Sequence, residues 1–337
     1  MKGLRKYLTP FAPDQSGATS VFYDMGGIIV ICDAGGCTGN ICGFDEPRWT
    51  SQKSAIFSAG LRDMDAIFGQ DERLLKKLQY VSEQIKANFI ALIGTPVPAT
   101  IGTDLLGIER LAQKKSSIPD LSVSTTGMKN YDAGIQEAYL ALFRKLAGKT
   151  ANEDRVGVIG CVPLELGHLS WAGFIEKELK KTHKKVSIYG MGASFEEVCT
   201  AGNAQKNIVV SPSGIQSAKY LQKTFGTPYE VAFPGAERLV KAGPWQKPLI
   251  VHQQVLANSL RERIPTATVG SWFTMDKTYK KTGDVHFKEE DDFEQFVTSH
   301  DFDCIIADEA MRKIVRNYKG EWISLPHFAV SGKRDVL

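Results

Sequence analysis

Short, mostly apolar runs that alternate with helical segments are the feature that most constrains this fold. The first run, Ile28–Ile31, contains four β-branched residues and is closed by Asp33 and the turn Gly35-Gly36. Runs of this kind are typical of strands buried on both faces of a parallel sheet. Comparable runs, each followed by a helical or turn segment, recur at 89–94, 155–161, 207–210, 249–251 and 304–307. This alternation predicts an α/β fold with three Rossmann-like domains, each built on a parallel sheet.

Two stretches divide the alternation into three units. The stretch 148–154 is mostly polar, and the stretch 243–248 contains two prolines and a glycine. Such segments are typical of domain boundaries. We therefore predict three domains, which span 1–150, 151–245 and 246–337.

Three local features carry expectations of their own. The residues 1–16 are predicted to form an irregular lead before the first helical or turn segment. Thr103 and Ser194 are candidate N-caps, because their hydroxyls can accept from the free N–H groups of a helix start. The acidic run 289–292 is interpreted as a solvated helix start, where carboxylates favour the helix dipole.

Three of the six cysteines, Cys32, Cys37 and Cys42, lie at or just after the first apolar run. A cysteine directly after two glycines, where a strand gives way to a helix start, sits where backbone N–H groups converge and stabilise a thiolate or an anionic cluster. The alternative is a set of core cysteines in a glycine-rich turn. The spacing matches neither a zinc knuckle nor a ferredoxin motif, so it leaves both interpretations open.

Composition excludes several function classes. A net charge of +3 in 337 residues gives no support for a nucleic-acid or membrane surface. No stretch reaches the ~18 apolar residues of a membrane span, and six cysteines do not make a disulfide framework, so we expect a cytoplasmic protein with reduced thiols. The chain has neither a Gly-x-Gly-x-x-Gly turn after a first strand nor a P-loop, which disfavours dinucleotide and nucleoside triphosphate binding.

Polar side chains follow several of the predicted strands. Ligands of doubly wound sheets bind beyond the carboxyl ends of the strands, so these positions are candidate small-molecule contacts. His252 is the candidate proton donor, because imidazole titrates near neutral pH. Each histidine has a structural interpretation as well, as a buried residue with satisfied hydrogen bonds. The candidate substrate-side residues are Glu165, His168, Asp308 and His327.

Taken in order, the glycine-rich junctions resemble the nitrogenase component 1 superfamily, of which this chain would be a short, divergent member. That superfamily includes the molybdenum-iron protein subunits, their cofactor-assembly scaffolds and the dark-operative protochlorophyllide reductase. The resemblance implies three Rossmann-like domains around a central cleft, with the cluster-binding cysteines in the N-terminal domain. The segments that carry it are Gly35-Gly36-Cys37, 94–105, 124–127, 189–197 and 226–229.

The resemblance assigns only part of the family's ligand set to this chain. Cys37 falls on a cysteine that ligates an iron–sulfur cluster. The positions of the two other cluster cysteines fall near Pro13 and near Thr95 or Pro96, so both are missing. The cysteine that holds the large nitrogenase cofactor falls near Val210 or Ser211, which argues against a dinitrogen-reducing subunit.

A two-fold axis offers replacements for the missing ligands. If two copies face each other at the cysteine turn, Cys37 and Cys42 from each provide the four thiolates of one [4Fe–4S] cluster. We therefore hypothesise a homodimer, or a dimer with a homologous second subunit. Cys32 is the alternative second ligand, although its place at the end of an apolar run favours a core position.

By resemblance, the chain is the catalytic component of a two-component reductase. It would accept electrons from an ATP-hydrolysing iron protein through the shared iron–sulfur cluster and reduce a small molecule, for example a tetrapyrrole, in the interdomain cleft. One alternative is a non-catalytic scaffold or carrier on which a metal cluster is built. Another is a small-molecule binding protein that has lost the cluster.

Overall fold

The computed structural model describes residues 5–52, 54–69 and 71–332. Its strands form parallel sheets in three units, which confirms the predicted α/β class with three Rossmann-like sheets. The first sheet has the order β2-β1-β3-β4, which places the Ile28–Ile31 strand in its interior. Its strands are β1 (Ile28–Ile31), β2 (Ala55–Ser58), β3 (Ile90–Ile93) and β4 (Asp120–Val123).

The second and third sheets repeat this parallel arrangement. Their strand orders are β6-β5-β7-β8 and β11-β10-β9-β12-β13. The second sheet contains β5 (Glu153–Ile159), β6 (Lys185–Ile188), β7 (Ala204–Val209) and β8 (Tyr229–Val231). The third contains β9 (Pro248–Val251), β10 (Thr268–Ser271), β11 (Val285–His286), β12 (Cys304–Ala307) and β13 (Glu321–Ser324). The domain boundaries at 150 and 245 stay predictions.

Helices connect the strands and cover the sheets. Those of the first unit are α1 (Asp14–Phe22), α2 (Gly36–Asn40), α3 (Asp63–Phe68), α4 (Asp71–Gln84), α5 (Pro96–Ile101), α6 (Leu105–Gln113) and α7 (Tyr131–Leu146). Those of the second are α8 (Ser170–Leu179), α9 (Phe195–Cys199) and α10 (Ile215–Phe225). The third has α11 (Gln254–Arg261), α12 (Glu290–Thr298) and α13 (Phe328–Ser331).

Helices α1 and α7 cross in close contact, which two glycines make possible. A Cβ atom on Gly17 would lie 1.9 Å from the carbonyl oxygen of Tyr131, and one on Gly134 would lie 1.8 Å from the carbonyl oxygen of Asp14. The backbones therefore touch directly. One hydrophobic core runs from this crossing into all three sheets, so the units are packed together by buried side chains.

Two expectations about helix starts are wrong. Helix α1 begins at Asp14, inside the predicted irregular lead, and tertiary contacts hold its first residue: the buried Asp14 carboxylate accepts the N–H groups of Thr126 and Gly127 at 3.0 and 2.6 Å. Helix α6 is capped by Asp104 instead of Thr103: the Asp104 carboxylate accepts the Gly107 N–H at 2.9 Å. The Asp104 carboxylate is one residue nearer the helix than the Thr103 hydroxyl, and it accepts a backbone N–H group that Thr103 would otherwise cap.

Ser194 caps α9 as predicted. Its Oγ accepts the Glu197 N–H at 3.2 Å, and the Glu197 carboxylate accepts the Ser194 N–H at 2.8 Å, which completes a capping box.

The acidic run before α12 is not simply solvated. Glu290 is buried, and its carboxylate accepts the backbone N–H groups of Lys6 and Leu8 at 2.8 and 2.7 Å. It also accepts the Tyr7 N–H at 3.1 Å. The N-terminal strap, residues 6–8, is thereby fastened to the third unit.

Candidate functional site

The turn that carries Cys37 is held by the carboxylate of Asp33. After β1, Gly35 adopts a φ of 115°, which a residue with a side chain rarely adopts, and α2 begins at Gly36. Asp33 is buried and accepts the N–H of Thr38 at 2.8 Å and the hydroxyl of Ser58 at 2.6 Å. The position of Cys37 at the start of α2 is therefore fixed from both sides.

The Cys37 thiol is half-buried and lies beside Thr95, whose hydroxyl donates to the Cys32 carbonyl at 2.7 Å. Burial raises the pKa of this thiol, and the Asp33 carboxylate adds to the effect. The thiolate that the sequence predicts at the helix start is therefore not favoured by the protein alone. A bound cation would have to supply the charge that favours it.

Cys42 lies in a π-helical turn, Ile41–Asp45, that directly continues α2. The N–H of Glu46 donates to the carbonyl of Ile41 at 2.9 Å, which closes the wide turn. Such turns occur frequently at functional sites. The thiol is half-buried, and its pKa is raised by burial and by the Glu46 carboxylate.

Cys32 occupies a different environment from the other two. It is 1% exposed at the end of β1, and burial raises its pKa to about 12. A side chain so placed packs in the core. The role of Cys37 and Cys42 as cluster ligands, with Cys32 as the alternative, stays a prediction.

The residues after the cysteine turn are clamped to the second sheet by Arg48. Its buried guanidinium makes two 2.7 Å hydrogen bonds to the Glu46 carboxylate and one of 2.7 Å to the Gly190 carbonyl. It also pairs with Asp24 at 3.3 Å, and Asp24 accepts the N–H of Gly192. The cysteine turn and the glycine turn after β6 therefore share one buried ion network.

A second group of polar residues lies where the carboxyl ends of the second and third sheets face each other. We call it the cleft cluster; its members are all buried and are Tyr131, Glu165, Ser211, Ser213, His252 and His327. The structure thus brings together three of the predicted residues, Glu165, His252 and His327, from three separate strand ends.

Glu165 is the central acid of the cleft cluster. Its Oε1 accepts the Ser213 hydroxyl at 2.8 Å, and its Oε2 lies 3.3 Å from the Tyr131 hydroxyl. Burial raises the pKa of Glu165 to about 8, and the nearby Asp132 carboxylate adds to the shift. Glu165 therefore holds a proton at neutral pH.

The two histidines stack face to face, with ring centroids 4.1 Å apart and planes 12° apart. His252 Nε2 donates to the Pro326 carbonyl at 3.1 Å, since its Nδ1 accepts the Gln253 N–H at 2.8 Å. Burial lowers the pKa of His252 to about 4 and that of His327 well below its ordinary value. Both rings are therefore neutral at physiological pH, and the proton-donor role of His252 stays a prediction.

His327 joins the cluster to α7. Its Nε2 lies 3.1 Å from the Leu164 carbonyl and 3.0 Å from the Tyr131 hydroxyl. Its Nδ1 is buried without a hydrogen-bond partner among the described residues.

The remaining candidates lie outside this cluster. Asp308 is buried, but its two oxygens accept the backbone N–H groups of Ala310 and His327, at 2.9 and 2.8 Å. His168 is half-buried and bonds Ser170 at the start of α8. In this structure Asp308 stabilises the start of a turn, and His168 stabilises the start of a helix. That either residue contacts a substrate stays a prediction.

Sequence reasoning missed Tyr131, Ser211 and Ser213. The two serines follow the carboxyl end of β7, so the strand-end rule that selected Glu165 could have selected them too. Tyr131 begins α7, away from any strand end, and its phenol reaches the cleft only through the helix crossing described above. No local pattern marks it.

A comparison with protein families decides what kind of chain this is. The model of a family described as nitrogenase component 1 type oxidoreductase matches residues 14–238, more than half of the sequence. This chain belongs to the nitrogenase component 1 family. The resemblance drawn from the glycine junctions is confirmed.

Two curated relatives of this family member carry the same name, nitrogenase iron-molybdenum cofactor biosynthesis protein NifE. The protein from Clostridium pasteurianum is 29% identical over 185 residues, which are 54% of this chain and 40% of the relative. The protein from Methanococcus maripaludis is 25% identical over 194 residues, 55% of this chain and 40% of the relative. The matched region thus spans about two-fifths of each relative's length.

Solved structures titled nitrogenase Cp1 share the fold of this family member. One, at pH 6.5, superposes with a TM-score of 0.73 at 12% identity and covers 100% of this chain and 89% of that one. Another, at pH 5, has a TM-score of 0.68 at 13% identity, with coverages of 97% and 85%. At these identities the likeness concerns the fold alone.

Residues 5–52, 54–69 and 71–332 of this family member also bear on metal binding and on membranes. Within those ranges, no group of three or more His, Cys, Asp or Glu side chains is arranged to hold a metal ion. Among the helices of the same ranges, none combines the length and the apolar character needed to cross a membrane.

Proposed function

We propose that this chain holds an iron–sulfur cluster at a boundary between two subunits and serves as a scaffold or carrier in metal-cluster assembly. The observation that carries the proposal is the placement of Cys37. Its thiol is half-buried on a turn fixed by Asp33, at the carboxyl edge of the first sheet. A cysteine ligand that is fixed in position and still partly exposed to a second subunit suits a cluster that two subunits share and later release.

Two cysteines of this chain would provide one half of such a site. Iron–sulfur clusters take four thiolates, and one chain supplies Cys37 together with Cys42. A second subunit, identical or homologous, would supply the other two. Because the pKa of each thiol is raised, cluster binding must displace protons, and we expect it to strengthen as the pH rises from 7 to 9.

The surface around Cys37 supports a subunit boundary. The segments that follow all four strands of the first sheet carry exposed apolar side chains, and two of them, Phe44 and Met128, are 71% and 80% exposed. Exposed apolar groups gathered at one edge are typical of protein interaction surfaces. We call this surface the apolar edge; it comprises Phe44, Met64, Ile67, Val97, Ile101 and Met128.

Two further facts favour assembly over substrate reduction. Both curated relatives are named as cofactor biosynthesis proteins. Thr95 lies beside the Cys37 thiol, at a position where the family resemblance expects another cysteine ligand. A cluster with fewer ligands from each subunit is easier to hand on.

The second candidate is the catalytic component of a two-component reductase, which takes electrons from an ATP-hydrolysing iron protein. The cleft cluster favours it, because Glu165 carries a proton at neutral pH and Tyr131 links it to His327. Such a group can deliver protons when a small molecule is reduced.

The first test is metal content after anaerobic purification. We expect about four irons and four sulfides per dimer in the wild type, and their loss in Cys37→Ala and in Cys42→Ala. Cys199→Ala is the matched control, because Cys199 is also half-buried but lies on α9. A dimer that stays folded and iron-free after reconstitution would refute the cluster.

A second assay separates the two candidates. A scaffold transfers its cluster to an apo-acceptor and shows no turnover with an iron protein, ATP and a reducible substrate. A reductase shows substrate-dependent turnover that Glu165→Gln diminishes, while its cluster stays bound.

A further inference from the structure

A cavity at the edge of the first sheet is not used by the proposed function. It has a volume of about 350 Å³ and lies between the edge strand β2 and helix α4. Volumes of this size are typical of small-molecule sites. Ser58, which lines the cavity, also donates to Asp33 at 2.6 Å, so the cavity adjoins the turn of Cys37.

The cavity exists because β2 is the last strand of its sheet. Strand β2 pairs only with β1, so no further strand follows it at this edge of the sheet. Helix α4 lies over the edge and leaves the cavity between itself and β2. The side chains that α4 and the sheet present to this space are apolar. They are Val30, Phe57, Ala59, Leu74, Leu78 and Val81.

The charged part of the remaining lining is basic. Arg73, Lys76 and Lys77 border the same cavity together with the uncharged Ser58 and Tyr80, so the charged residues of the described lining are all cationic. Arg73 pairs with Asp65 at 3.2 Å, and Lys77 donates to the Ala59 carbonyl. Lys76 is exposed and forms no hydrogen bond or ion pair with any residue in the described ranges, so its ammonium is available to an anion.

We propose that this cavity binds an amphipathic organic anion, a monocarboxylate with an aliphatic tail or an aromatic ring. The apolar body would fill the space between Phe57 and α4. The carboxylate would lie at the mouth, against Lys76 and its cationic neighbours. An apolar wall combined with a rim whose charged groups are all cationic selects this chemistry, because an anion is attracted to the rim and a cation is repelled by it.

Calorimetric titration of the full chain with octanoate and with octan-1-ol tests the proposal. The two probes have the same tail, so their difference measures recognition of the charge. We expect octanoate to bind with a Kd of about 0.1–1 mM and octan-1-ol at least about fivefold more weakly. Equal affinities, or no octanoate binding at 5 mM ligand, would overturn the proposal.

Variants place the site. Lys76→Gln should weaken octanoate about threefold and leave octan-1-ol unchanged. Lys86→Gln, which removes an exposed lysine outside the cavity, should change neither. Val81→Trp should fill the cavity and weaken both probes more than about tenfold. Octanoate binding that survives Val81→Trp in a folded protein, or that ignores Lys76→Gln, would place the ligand elsewhere and refute the site; if Val81→Trp does not fold, the two lysine variants decide.

Discussion

Replacement of Glu165 by glutamine should abolish a large pH dependence of stability. The unfolded carboxyl loses its proton near its ordinary pKa of 4.5, whereas burial keeps the folded carboxyl protonated up to about 8. Between these values the folded state binds more protons than the unfolded state. The free energy of unfolding therefore falls as the pH rises through this window.

The size of the effect follows from the same two pKa values. Each pH unit inside the window removes about 1.4 kcal/mol, so the total approaches about 5 kcal/mol by pH 8. Glutamine has the shape of the protonated acid and retains a carbonyl for Ser213 and a donor toward Tyr131. We expect Glu165→Gln to match the wild type within about 1 kcal/mol at pH 5 and to exceed it by several kcal/mol at pH 8.

Urea unfolding at pH 5, 6, 7 and 8 measures this difference. Glu237→Gln is the control, because Glu237 is an exposed carboxyl of the same unit. The comparison rests on the difference between variants at each pH, which removes the pH dependence of all other groups. A difference between Glu165→Gln and the wild type that stays constant from pH 5 to 8 would refute a protonated Glu165.

Two further predictions concern the centre of the fold. Gly134→Ala places a methyl group on the Asp14 carbonyl and should cost about 3 kcal/mol in urea unfolding, because two packed backbones must separate; Gly173→Ala, where the added Cβ meets open space, should be neutral or stabilising. Arg48→Met leaves Glu46 as a buried, unpaired carboxylate and should cost about 3–5 kcal/mol. Adding Glu46→Gln should recover part of that loss, and a double variant that is less stable than Arg48→Met would contradict the pairing.

Strong periodicity is what made parts of this fold predictable. The buried residues Leu74, Leu75 and Leu78 of α4 repeat with the spacing of an amphipathic helix, so the local pattern is enough to indicate this element. Strand β4 has no comparable signal in the sequence, because Asp120 and Ser122 interrupt its apolar run. Other elements of the fold bury this strand, and the sequence of the strand itself does not indicate them.

The site was predictable only where it depends on strand ends. Glu165, His252 and His327 follow strands of two different sheets, and the strand-end rule found all three. Their meeting depends on how the second sheet faces the third, which is a matter of long-range packing in the shared core. The π-helical turn around Cys42 likewise has no sequence signature, because it depends on Glu46 being held in place by the distant Ser20 and by Arg48.

The N-terminal strap has a consequence for how the protein is made. Its three backbone donors leave the ribosome well before their acceptor, Glu290, which follows more than 280 residues later. At ordinary rates of synthesis this delay is roughly 15 to 60 s. During that time α1 can already dock on α7 while the strap has no partner. The strap can therefore bind only after Glu290 has been made, and ribosome-bound chains that end before Glu290 should expose the strap to proteases.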